Sequence, residues 1–373
     1  MTTDRAGPGS DGSAQAVAVQ ESALEAPGPV ASPRGAQPAP RAEEDAVDRR
    51  RVPLAVAGAR VMLEQLERLL KREAGVRRGD DPEDVHQMRV ASRRLRAARR
   101  VFRKALEGPV DVERANEELR TLARGLGQVR DLDVFGAALR QRAEQADPAD
   151  RPALERLAAT FEEQRDAARA ELLSLLDGGA LTYLRTEFRA ALEAVASGTP
   201  AEEPPATADG RGNGRATGQA VPARRMKRQR VGRTAPRLIA RAMQRLRDHR
   251  HVLLAPTSSE LHEIRIAAKR ARYTGEFFAP AFGPSLSDAI KRLTAVQESL
   301  GAVHDADVAE ETLLRALQEM APDPQRAPDA GAVSRLIARH REEREAHLQT
   351  FREQWRALPH PKHLRRELRR LAS

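Results

Sequence analysis

The sequence predicts an all-α protein, and three observations carry that prediction. Ala, Leu, Arg and Glu, all good helix formers, dominate the 373 residues. Aromatic residues make up 3% of the chain and β-branched runs are scarce, which leaves little to build strands from. Hydrophobic residues at 40% and charged residues at 32% match amphipathic helices with one apolar and one heavily charged face.

Residues 1–50 are rich in Ala, Pro, Gly, Ser and Glu and lack a helical period. Five Arg stand against eight acidic residues there, so the segment reads as a slightly acidic, disordered tail. The helical pattern starts near Pro53, where Val56, Val61, Leu63, Leu66, Leu69 and Leu70 give a first helix its apolar side. A second helix is expected from Asp81 to Leu106, with Pro82 in the first turn, where a missing N–H costs nothing. Further helices are expected at 112–126, 128–145, 151–177 and 180–196. Gly127 and, later, Gly301 read as helix breaks; no P-loop pattern surrounds either.

Residues 197–234 read as a linker, full of Pro, Gly, Ala and Thr. It ends in a basic cluster of Arg224, Arg225, Lys227, Arg228, Arg230 and Arg233. Helical periodicity resumes at Pro236, with breaks at Pro256, 280–284 and 321–330. The folded part thus spans 51–373, with a first half at 53–196 and a second at 235–371.

The two halves repeat each other. His86, Arg89, Arg93, Arg94 and Arg96 recur in the second half as His262, Arg265, Lys269, Arg270 and Arg272. Downstream, Gly127, Arg130, Asp131 and Asp133 recur as Gly301, His304, Asp305 and Asp307. Two motifs in the same order at nearly equal offsets point to duplication of a helical bundle.

On a helix at 100° per residue, His86, Arg89, Arg93, Arg96 and Arg100 share a sector of roughly 80°. Met88, Ala91, Leu95, Ala98 and Phe102 take the opposite face. In the second half His262, Arg265, Lys269 and Arg272 align, opposite Ile264, Ala267, Ala271 and Phe278. Tyr273 falls beside that stripe, and Arg94 and Arg270 flank it. Like charges at i+3 and i+4 repel by a few tenths of a kcal/mol. Either a polyanion or carboxylates from elsewhere in the fold must neutralise the row. Cations one helical turn apart, ~5.4 Å, suit a linear polyanion, and guanidinium groups grip phosphate oxygens in bidentate fashion.

These residues resemble the CHAD family, named for conserved histidines in an α-helical domain. The resemblance covers about 53–371 and rests on the two paired motifs in this order. It implies two four-helix bundles related by a pseudo-twofold axis, their basic helices facing a central cavity. It also implies polyphosphate binding and association with polyphosphate granules. The binding residues carried over are His86, Arg89, Arg93, Arg94, Arg96, His262, Arg265, Lys269, Arg270 and Arg272, with Arg100 and Tyr273 as weaker additions. Lys269 departs from Arg93 by losing the bidentate fork while keeping charge, and His304 stands in the place of Arg130. Some relatives carry a triphosphate-hydrolysing tunnel domain, and no acidic β-barrel pattern is present here.

Other readings have less behind them. His86 and His262 as metal ligands would need Asp131, Asp133, Asp305 or Asp307 nearby, and their cationic neighbours repel a divalent ion; no metal or other cofactor is expected. Asp131 and Asp133 read as caps of a helix starting near Val129, or as partners of Arg, before they read as catalytic carboxylates. His249, His251, His340, His347, His360 and His363 read as surface residues. The segment 222–250 carries eleven basic residues against Asp248 and reads as solvated or as an extension of the polyanion surface.

The expected function is therefore binding of inorganic polyphosphate without catalysis. A nucleic-acid binder is a second reading, weakened by the shortage of aromatics for base stacking. A metal-dependent phosphoanhydride hydrolase is a third. The net charge of +10 favours acidic partners, and the absence of Cys excludes disulfides and thiolate chemistry. No apolar run approaches ~18 residues and no export signal is visible, so no membrane partner and a cytoplasmic location are expected.

Overall fold

The computed structural model describes residues 40–179, 181–198, 229–321 and 326–372. Among them the chain is helical, with no strand and one isolated bridge between Pro53 and Arg230. The helices in chain order are α1 (Pro40–Arg51), α2 (Leu54–Arg78), α3 (Pro82–Leu106), α4 (Val112–Gln145), α5 (Arg151–Asp177) and α6 (Arg189–Ser197). They continue with α7 (Val231–Arg247), α8 (Ser258–Phe282), α9 (Pro284–Met320), α10 (Ala327–Arg356) and α11 (Pro361–Ala372). A π-helical turn, Leu184–Phe188, leads into α6, and a 3-10 turn, Asp248–Val252, follows α7.

Local chemistry sets the ends of the two basic helices. Asp81 caps α3 by accepting from the Glu83 N–H at 2.8 Å, with Pro82 in the first turn as expected. A capping box opens α8: Thr257 Oγ1 accepts from the Glu260 N–H at 3.2 Å, and the Glu260 carboxylate accepts from the Thr257 N–H at 2.8 Å. Gly79, at φ 80°, closes α2 in the left-handed region.

In the first half α2 packs on α3 and α6, and α3 packs on α4; in the second α7 packs on α8 and α11, and α8 packs on α9. The halves join where α3 meets α8. There Phe102 is fully buried, its ring 5.5 Å from Phe278 and 6.1 Å from Phe277. The starts of α2 and α7 are also tied, Val231 N donating to Val52 O at 3.0 Å. The apolar face expected for α3, from Met88 to Phe102, lies in this main core, as does that of α8. The hairpins α4–α5 and α9–α10 meet again at their far ends around Leu139, Phe161, Leu313 and Val333. Arg142 donates to Glu343 there at 2.7 Å.

The structure departs from the expected elements at several points. Residues 40–50 fall in the segment read as a tail, yet with Arg51 they form α1, which packs on α7 and α8. Residues 1–39 lie outside the described residues, as do 199–228, which hold most of the linker and its Arg224, Arg225, Lys227 and Arg228. Helix resumes at Val231, and Pro236 sits inside α7. Gly127 and Gly301 break nothing: both are buried inside continuous helices of 34 and 37 residues. A helix-interior glycine costs about 1 kcal/mol relative to Ala, which packing along such long helices outweighs. Asp131 and Asp133 consequently cap nothing, because no helix begins at Val129.

Candidate functional site

The stripe of α3, the stripe of α8 and the first turns of α4 wall a cleft of about 690 Å³. From α3 come Arg89, Arg93, Arg96, Arg99 and Arg100. From α8 come His262, Arg265, Lys269, Arg270 and Tyr273. From α4 come Arg120 and Arg124, both exposed. Ten cationic side chains line it against one carboxylate, Glu117.

Carboxylates outside the lining hold part of the row. Asp131 lies 3.4 Å from Arg89, and Asp305 exerts the same attraction on Arg265. Behind them Arg165 donates to Asp133 at 2.9 Å, and Arg344 donates to Asp307. His86 stands against Arg130, and the His262 ring lies 5.5 Å from that of His304. The carboxylate expectation for neutralising the row thus holds at Arg89 and Arg265, which Asp131 and Asp305 attract.

The cleft's charges are costly to bury. Burial pulls the Arg265 guanidinium down to about 10, against the attraction of Asp305. Burial, with Arg265, Arg93 and Arg89 close by, holds Lys269 well below the ordinary lysine value. The charge that the sequence reading keeps at this position is therefore one the fold resists. Burial also pushes the Asp131 carboxyl up to about 6, with Arg89 opposing the rise and Asp305 adding to it. His86 is lowered, first by burial and then by Arg130.

Three of the expected site residues stand elsewhere. His86 does not line the cleft. Arg94 reaches across to α8, 2.7 Å from Glu276, and Arg272 lies 3.1 Å from the same carboxylate. Both guanidinium groups also approach the Tyr273 ring, at 5.6 Å and 4.9 Å from its centroid. This cluster binds the two halves together. Arg99, Arg120 and Arg124 belong to the cleft although the sequence reading does not include them. Arg120 and Arg124 are one turn apart on α4, but their counterparts in the second motif's register are Thr294 and Glu298, so the repeat does not reveal them. Among the other histidines, His340 is half-buried beside Glu343 and Arg142, not a surface residue.

Among the described residues no three His, Asp or Glu side chains come together to hold a metal ion. No described helix is long and apolar enough to cross a membrane.

Fold and cleft together define an all-α protein with paired basic helices walling one cation-rich cleft. The chain belongs to the CHAD family: the CHAD domain matches residues 60–314. The crystal structure of the CHAD domain from the plant Ricinus communis is 25% identical and superposes with a TM-score of 0.62, covering 83% of this chain and 93% of that one. PptA from Streptomyces chartreusis shares the fold at 19% identity, with a TM-score of 0.56, covering 82% of this chain and 100% of that one. No curated protein matches the chain.

Proposed function

We propose that this protein binds inorganic polyphosphate in the cleft between α3, α4 and α8, without catalysis, and gathers at polyphosphate granules. The carrying observation is the lining of ten cations against one carboxylate, drawn from α3, α4 and α8. A linear polyanion with no bases to stack suits a wall of guanidinium groups in which the one aromatic, Tyr273, is buried. We read the halves as a duplication. Helices α3, α4 and α5 have 25, 34 and 27 residues, and α8, α9 and α10 have 25, 37 and 30. The contacts Arg89–Asp131, Asp133–Arg165 and His86–Arg130 recur as Arg265–Asp305, Asp307–Arg344 and His262–His304.

The test is a direct titration of polyphosphate against duplex DNA at matched phosphate concentration. Polyphosphate should bind tighter and displace DNA at low concentration, without the converse. Affinity should fall steeply with salt, as expected when several phosphates release counterions. DNA winning at equal phosphate would favour the nucleic-acid reading. Phosphate release from polyphosphate by the purified protein would revive the hydrolase.

Binding should also take up protons. A bound polyanion raises the pKa of every group beside it. Lys269, lowered and on the lining, and the Asp131 carboxyl, raised and set against Arg89 of the lining, each then hold a proton more readily. Affinity should therefore rise as pH falls towards about 6, the value for Asp131. Calorimetry in buffers of different ionisation enthalpy measures the uptake, and identical heats across buffers would contradict it.

A further inference from the structure

A second groove of about 790 Å³ lies on the other flank of α8, between α3 and α7. Its wall from α7 is Arg237, Arg241 and Arg245, all exposed and spaced four residues apart, so each stands about one turn, ~6 Å, from the next. Lys104 and Arg103 of α3 face them. The groove's two carboxylates are Asp248 and Glu263. No carboxylate among the described residues lies within ion-pair distance of Arg237, Arg241 or Arg245. Arg100 and Arg270 line this groove and the first cleft alike, so the two basins share a cationic rim.

We infer that the two basins form one track, and that α7 makes the protein selective for long polyphosphate. This rests on the polyphosphate reading of the first cleft. A short oligophosphate satisfies its charge within the first cleft and gains nothing from α7. A long chain leaves the first cleft over Arg100 and Arg270 and descends along Arg237, Arg241 and Arg245. Each further cation it meets releases more counterion, so long chains gain affinity and salt dependence together. The α7 stripe has no carboxylate to displace, unlike Arg89 and Arg265 of the first cleft.

The experiment compares the wild-type chain with Arg237→Glu/Arg241→Glu, using tripolyphosphate and long-chain polyphosphate as probes. Both positions are exposed and neither lines the first cleft, so melting temperature should stay put; Arg241→Gln/Arg245→Gln serves as a second, milder variant. The expected result is an unchanged affinity for tripolyphosphate and a loss of about tenfold or more for the long chain. The salt slope for the long chain should also flatten by about two. Unchanged long-chain affinity overturns the track and leaves the first cleft standing. Equal losses for both probes overturn it as well, because α7 would then act on the first cleft itself. If wild-type protein binds neither probe, the polyphosphate reading falls first.

Discussion

Arg124→Glu with Arg270→Glu should abolish the proposed polyphosphate binding at physiological salt, while the helical content and melting temperature of the protein should hold. The two positions stand on α4 and α8, both line the cleft, and both side chains are exposed. The double variant removes two cations and adds two anions. In water a unit charge at contact distance is worth about 1 kcal/mol. Four unit changes then come to about two or three orders of magnitude in affinity. Surface substitutions of this kind usually change stability by no more than about 0.5 kcal/mol. Relief of crowding among ten cations would push that change towards stabilisation.

Reversing Arg89 and Arg265 would be a poorer test, although the repeat puts them at equivalent places. Arg265 is 3% exposed and held by Asp305, and Arg89 lies against Asp131. A carboxylate at either site would be buried beside another, and lost binding would be indistinguishable from lost fold. The measurement that decides is isothermal titration of Arg124→Glu/Arg270→Glu, followed by thermal melts with and without polyphosphate. Retained affinity with an intact melt would refute the cleft as the binding site.

Much of this site was legible because helical phase is a local property. Once α3 is a helix, Arg89, Arg93, Arg96 and Arg100 must share a face, and the burial of Met88, Leu95 and Phe102 sets which face it is. Phase does not tell what stands opposite. Arg94 and Arg272 belong to the same motifs as the cleft residues, yet Glu276 draws both into the contact between α3 and α8. Nothing local to Arg94 announces a carboxylate in the other half of the chain. The same holds for Arg120 and Arg124, which become part of the site only because α4 packs along α3. Gly127 misleads for a related reason: its local preference is against helix, and the packing that overrides it is tertiary.

Phe102→Ala should have the opposite signature, a large loss of stability with the cations of the cleft left in place. Phe102 is fully buried and wedged between three helices. Its ring meets Phe277 and Phe278 of α8, and a Cβ added at Gly58 of α2 would lie 2.7 Å from it. Gly58 is thus the space the ring needs, and Phe102 joins α2 and α3 to the second half. Truncating a buried Phe costs about 3–5 kcal/mol through lost transfer energy and an unfilled cavity. Against a total of about 5–15 kcal/mol, that is a substantial fraction. Urea unfolding should show the loss as a lower midpoint with an unchanged slope. Saturating polyphosphate adds stability in proportion to ln(1 + [L]/Kd), which depends on the folded site alone. The ligand-induced rise in stability should therefore be as large in Phe102→Ala as in wild type, and absent in Arg124→Glu/Arg270→Glu. A lost rise in Phe102→Ala would mean that the aromatic wedge sets the spacing of the two cationic stripes, and the cleft would then be a product of how tightly the halves close.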